Sequence, residues 1–191
     1  MKKAIFILTI LFVAVISTAC INNMAIQELN SAAKDFMEKG DYNSAIERLE
    51  SSLVLDDSVY ETHYNLGVAY INAKQYEKAT DELSKAIKIN PKYANTYYTL
   101  AIAQENLADS LIESRSEVNE TYENGRKVSN QTDIYQNLPE GVKERMIELY
   151  LSSITNYKIY ISTINSSSKT EEVSAHLEDV EKVLTKLGYK G

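Results

Sequence analysis

Apolar residues recur through most of the chain at helical spacing, three or four apart, as in amphipathic helices that bury one face. They also recur at a longer period. Shifting the sequence by 34 residues lays Tyr42 on Tyr76, Ala45 on Ala79, Leu49 on Leu83, Leu53 on Ile87 and Leu55 on Ile89. The helix before it aligns as well, with Leu29 on His63, Ala32 on Leu66, Ala33 on Gly67 and Phe36 on Tyr70. Each 34-residue unit therefore predicts two antiparallel helices that cannot bury their apolar stripes alone and must stack on neighbours. Ala33, Gly67, Ala45 and Ala79 are small where the two helices of a unit cross closely. Gly40-Asp41 and Lys74-Gln75 are read as the turns inside the units. Asn90-Pro91 ends the second unit, because proline cannot continue a helix.

The third unit departs from the pattern. His63 falls on Tyr97, Leu66 on Leu100, Gly67 on Ala101 and Ala69 on Ala103, and then the register is lost. It returns at Tyr150, Ile154, Tyr157 and Ile161, which reproduce Tyr76, Thr80, Leu83 and Ile87 at an offset of 74. That predicts an insertion of about 40 residues between the two helices of this unit. No glycine or proline occurs from Ala94 to Glu123, and Leu100, Ala103, Leu107, Leu111 and Val118 keep a helical stripe. The first helix is therefore expected to run several turns past its normal end. Asn124-Gly125 to Pro139 reads as a polar loop, and a helix restarts at Pro139-Glu140, with Met146, Leu149, Tyr150, Ile154, Tyr157 and Ile161 on its apolar face. Thr170–Leu187 closes the chain with Val173, Leu177, Val180, Leu184 and Leu187 on one stripe, and Gly188 suits its C-cap. Such a stripe serves either as a cap over the open end of the array or as a heptad seam for a second copy or a partner.

Leu66-Gly67, Tyr70, Ala79, Leu83, Ala86 and Pro91 stand at the spacing of the tetratricopeptide (TPR) pattern, and Tyr60 to Tyr93 resembles one TPR unit. The first unit, Ile26–Val59, is looser, with Ser52 and Asp57 where the family has alanine and proline. The resemblance implies an all-α fold, a superhelical array of helix-turn-helix units. Residues 26–93 would form two TPR units and residues 94–167 a third TPR-like unit, an extended helical hairpin bearing the insertion. Residues 168–191 would form the capping helix.

The amino terminus is laid out differently. Met1-Lys2-Lys3 is a basic head, followed by the apolar run Ala4–Ile16 and then Ser17-Thr18-Ala19-Cys20. This is the layout of a secretory signal peptide over residues 1–19, and the run falls short of the roughly 20 residues that span a bilayer. The segment resembles the lipobox of bacterial lipoproteins, which implies that Cys20 is lipidated and that residues 20–25 form a tether. Ser17 stands where lipoboxes usually carry leucine, and Ser17-Thr18-Ala19 also fits ordinary signal cleavage, which would leave Cys20 a free thiol. With Ile21 rather than aspartate after Cys20, sorting by the enteric rule would take the lipoprotein to the outer membrane, at its periplasmic face.

Composition narrows the chemistry. The 191 residues predict about one domain, and 44% apolar with 25% charged residues is ordinary for a globular protein. Six glycines and two prolines are too few to punctuate a β-sandwich or barrel. A single cysteine excludes a disulfide framework and any CxxC site. Net charge is −7, and removing residues 1–19 takes away Lys2 and Lys3 and no acid, leaving 18 bases against 27 acids. With no longer basic run, nucleic acid is not expected as a partner. No phosphate-binding glycine loop, HExxH or GxSxG is present, so no cofactor, metal or catalytic site is expected and an enzyme is disfavoured. His63 is read as a packed core imidazole and His176 as a solvated side chain on the polar side of the last helix.

What remains is a binding surface. In the family the first helix of each unit lines a concave groove, and carried over residue by residue this implies a partner-binding set of Asn30, Lys34, Tyr64, Asn65, Val68, Ile71, Tyr98 and Ile102. Tyrosines, amides and aliphatic side chains suit an extended peptide, whereas packing of Tyr64 and Tyr98 between neighbouring units is the plainer account of those two. The clamp of lysines and arginine that binds chaperone tails in some TPR proteins is missing, since only Asn65 matches it, and Asn95 and Thr99 stand where cations should be. The expectation is an adaptor lipoprotein of the bacterial cell envelope, tethered to membrane by the lipid on Cys20 and binding a protein or peptide partner. Two others stand beside it: an accessory subunit that handles substrate for an envelope enzyme or transporter, with Asn124–Pro139 as a lid, and a structural lipoprotein that self-assembles through the last helix.

Overall fold

A computed structural model describes residues 21–116, 122–123, 126–127, 134–135 and 137–191. Residues 1–20, with Cys20 and the expected signal segment, and the Asn124-Gly125 pair lie outside the described residues. The chain divides into two compact units, Met1–Gln75 and Tyr76–Gly191.

The first unit contains α1 (residues 21–38), α2 (Tyr42–Leu55) and α3 (Tyr60–Asn72). Asp41 caps α2 by accepting a hydrogen bond from the Ser44 backbone at 3.1 Å. Bonding to Ser44 holds the Asp41 carboxyl below its ordinary value. The chain leaves α1 and α3 by the same turn. Gly40 (φ +74°) and Lys74 (φ +58°), one repeat apart, both take the left-handed conformation. The next residue bonds back five places, Asp41 N–H to Phe36 O at 2.9 Å and Gln75 N–H to Tyr70 O at 2.8 Å. This is the Schellman ending, which glycine adopts without strain and lysine does not. Ala33, Ala45, Leu49 and Leu66 are buried in the interior, as are Tyr60, Tyr70 and His63. The His63 imidazole packs with Nε2 2.7 Å from Asp57 O.

The second unit contains α4 (Tyr76–Ile89), α5 (Ala94–Ser116), α6 (Glu140–Thr163) and α7 (Ser167–Lys186). Between α5 and α6 in sequence, β1 (Tyr122–Glu123) pairs with β2 (Arg126–Lys127) in a two-residue antiparallel ladder. About half of the insertion lengthens the two helices. α5 has 23 residues where α3 has 13, and α6 has 24 where α4 has 14. α5 begins one repeat after α3, and α6 ends at Thr163, the counterpart of Ile89 at the offset of 74. Growth therefore occurred at the two facing ends, and the repeat register was kept on both sides. The expected polar loop needs correcting at its far end: Leu138 is buried in the core and Tyr135 packs against it. Val118, the last residue of the expected stripe, lies outside the described residues.

The core of this unit joins Leu107, Ala108, Met146, Leu149, Tyr150, Tyr157 and Tyr160 with Val173, Leu177, Val180, Leu184 and Leu187 of the last helix. The stripe of α7 is thus spent on covering its own unit, as a capping helix does. Gly188 (φ +88°) closes α7 by the same Schellman ending, with Tyr189 N–H on Leu184 O at 3.0 Å.

Candidate functional site

The groove residues implied by the sequence fall into both units. In the first, Lys34 is exposed, and Tyr64, Val68 and Ile71 are half-buried. Tyr64 stacks on Tyr60 with ring centroids 6.1 Å apart.

Asn30 and Asn65 are a correction: their amides are turned inward. Asn30 Nδ2 lies 3.0 Å from Ser52 Oγ, 2.9 Å from Thr62 Oγ1 and 3.0 Å from Ile26 O, and its Oδ1 accepts from Asn65 Nδ2 at 3.2 Å. Ser52 and Thr62 are fully buried and 3.2 Å apart. Buried polar groups need partners, and these residues supply one another. The serine at the family's alanine position is thereby explained.

In the second unit Tyr98 and Ile102 come together on α5 and line an open pocket of about 410 Å³. Glu105, Asn106 and Asp109 continue the wall along α5, Tyr157 closes it from α6, and Glu172, Val173 and His176 face it from α7. The offset of 74 extends to this last helix: Glu172 falls on Tyr98, Val173 on Thr99 and His176 on Ile102. The pocket is therefore built from groove positions of two successive first helices, the second being the cap.

Its walls are aromatic, and one of its carboxylates is paired across helices. Tyr98 lies 4.9 Å from Tyr160 and 5.6 Å from Tyr157, ring centre to ring centre. Burial, then the charges of Glu172 and Glu105 with Tyr160, push the Tyr98 hydroxyl up. Glu105 is only 15% exposed, and its Oε2 lies 2.8 Å from His176 Nε2. His176 also stands edge-on to the Tyr157 ring, centroids 5.4 Å apart. The expected solvated His176 is thus corrected: it is a partly exposed clasp between α7 and α5. Desolvation raises the Glu105 carboxyl above its ordinary value, and the bond to His176 opposes that. Burial first, then Glu105, pushes the Tyr157 hydroxyl well up. The Tyr150 hydroxyl, raised in the same way, donates to Asp109 Oδ1 at 2.5 Å. The pairing of Glu105 with His176 was not legible in the sequence, because the two are 71 residues apart and meet only once α7 has docked.

Among the described residues no cluster of three His, Cys, Asp or Glu is arranged to hold a metal ion. No helix there is long and apolar enough to cross a membrane.

Comparison with known proteins places this geometry. Residues 60–93 match the family model of the tetratricopeptide repeat. Over 81 residues the chain is 36% identical to BBSome complex member BBS4 of Bos taurus, covering 42% of this chain and 16% of that protein. The chain thus spans under a fifth of that relative's length. The first TPR of Spaghetti (RPAP3), bound to the HSP90 peptide SRMEEVD, superposes with a TM-score of 0.55 at 15% identity, covering 85% of this chain and 97% of that one. The TPR2B domain of yeast Sti1, in complex with pHsp70, gives 0.53 at 14% identity over 83% and 98%. At such identities the likeness is one of fold, and the fold is a TPR array of helical hairpins.

Proposed function

We propose that this protein is an adaptor lipoprotein of a bacterial cell envelope, tethered through Cys20 and binding a peptide segment of a protein partner along the groove positions of its first helices. The observation that carries the reading is that Tyr98, Ile102 and Glu105 of α5 meet Glu172, Val173 and His176 of α7 around one open pocket. Such a concave, aromatic-walled surface suits a side chain of an extended segment. The TPR domains of similar fold whose bound peptides are known support a peptide as the class of ligand. The tether rests on the basic head, the apolar run and the cysteine that ends it.

Two measurements test this. Crosslinked capture of the tagged full-length protein from its native envelope should yield a stoichiometric partner that Tyr98→Ala loses. A partner retained by Tyr98→Ala moves the site away from the pocket, and no partner at all overturns the adaptor reading. Mass spectrometry of the mature amino terminus should find a lipid on Cys20. An unmodified thiol there ends the tether.

A further inference from the structure

The pocket carries a chemistry that a helical array does not require for its own folding. Its apolar parts are Ile102, Val173 and the rings of Tyr98 and Tyr157. Its charges are the carboxylates of Glu105, Asp109 and Glu172, and among the described residues no lysine or arginine lines it. The one lining group able to carry positive charge is His176, and it already stands as a bound cation would, 2.8 Å from Glu105 Oε2 and edge-on to Tyr157 at 5.4 Å. That uses one oxygen of the Glu105 carboxylate. The Tyr157 hydroxyl also donates to this carboxylate, yet Oε1, which is buried, has no hydrogen-bond partner of its own, a shortage that folded proteins ordinarily make good with a donor. Asp109 gives one oxygen to Tyr150, and Glu172 is exposed. At about 410 Å³ the opening falls within the range of about 300–1,000 Å³ typical of ligand sites.

We infer that this pocket is a subsite for an alkylammonium or alkylguanidinium group, the end of a lysine or arginine side chain on the bound partner. The assignment to a partner rests on the adaptor reading; the chemistry of the group does not. The aliphatic stem lies along Ile102 and Val173, and the charged head sits against the tyrosine rings within reach of Glu105 and Glu172. Charge-assisted bonds to those carboxylates hold it there. An acidic segment would meet three carboxylates and no lysine or arginine, and like charges brought together across an interface are strongly unfavourable. The excess of 27 acids over 20 bases draws in the same class of partner from a distance.

The test uses the purified protein and four probes: acetyl-Gly-Arg-Gly-amide, acetyl-Gly-Lys-Gly-amide, acetyl-Gly-Glu-Gly-amide and n-butylguanidinium. Titration followed by amide NMR shifts should perturb Glu105, Val173 and His176 with the arginine and lysine peptides and not with the glutamate peptide. Glu105→Gln should weaken the arginine peptide about tenfold, and Glu172→Gln or about 0.3 M salt several-fold. Glu172 is exposed, so its variant keeps the fold and the test survives any disturbance at Glu105. Equal binding of the glutamate peptide, or affinity unmoved by both substitutions and by salt, overturns the subsite. n-Butylguanidinium, the arginine side chain without its backbone, should shift the same residues, and its failure to bind where the arginine peptide binds overturns the side-chain head as the recognised group. Capture of a partner lost on Tyr98→Ala, without basic-peptide binding, keeps the adaptor and removes the subsite. Basic-peptide binding without any captured partner does the reverse.

Discussion

Asn30 and Tyr98 occupy the same position of the repeat, two periods apart, and Ser52 and Tyr160 likewise share a position on the following helix. In the first unit that pair is an amide bonded to a hydroxyl at 3.0 Å, tied further to Thr62 and Asn65. In the second it is two tyrosine rings 4.9 Å apart, one of which walls an open pocket. A polar network of this kind is directional, so it holds the helices in one arrangement. Tilted tyrosine rings fill volume without claiming fixed partners, so their edges stay available to a ligand. One repeat position thus serves internal cohesion in one unit and recognition in the other, and the choice turns on whether the neighbouring helix presents a small hydroxyl or a ring.

The largest effect should come from the ring-filled side. Met146 is fully buried in the core of that unit, and Met146→Ala should cost about 3 kcal/mol of stability by leaving a cavity, measured by chemical denaturation. Asn30→Ala strands the buried Thr62 and Ser52 on the other side and should cost about 2 kcal/mol. A cycle with Ser52→Ala, which installs the residue of the next repeat, should depart from additivity by about 1 kcal/mol. If Asn30 and Ser52 are additive, the polar network is not cooperative and the contrast between the units weakens.

Alkali should discriminate more finely. The Tyr150 and Tyr157 hydroxyls are raised in the fold, so the native chain keeps their protons where the unfolded chain releases them. Their contribution is whole below the ordinary tyrosine value and is lost as pH climbs past it, by about 1.4 kcal/mol per pH unit for each ring. Tyr157→Phe should remove one share of that slope, read from unfolding midpoints above about pH 10. Smallest is a backbone effect: Lys74→Gly, at the left-handed turn position that Gly40 fills one repeat earlier, should gain about 0.5–1 kcal/mol in thermal denaturation.

The helices and their register were legible because a 34-residue period constrains every turn and crossing at once. The lengthened hairpin was legible as well, from the run without glycine or proline after Ala94 and the return of the pattern at Tyr150. The identity of α7 as one more first helix was not. Its positions matching Tyr97, Leu100, Ala101 and Gln104 are Glu171, Ser174, Ala175 and Glu178, largely polar and all exposed. What stayed visible was the stripe that faces back onto the core, which reads equally as a heptad. Ser52 stood out as a departure from the family pattern, yet nothing local pointed to Asn30, 22 residues away, as its partner. The pocket was legible by halves, through Tyr98 and Ile102, because its other half belongs to the helix whose register was hidden.

The matched lengthening of α5 and α6 has a mechanical side. Ten added residues in each helix put the ladder end of the hairpin about 15 Å beyond the turn of an unmodified repeat, close to three helical turns. Two rods clamped side by side in this way behave as a cantilever whose length is quantised. Trimming both by about four residues shortens the reach by one turn and keeps the mating faces together, whereas trimming by two rotates each face through about 200° and parts them. The reach of this arm can therefore change only in whole turns, taken from both helices together.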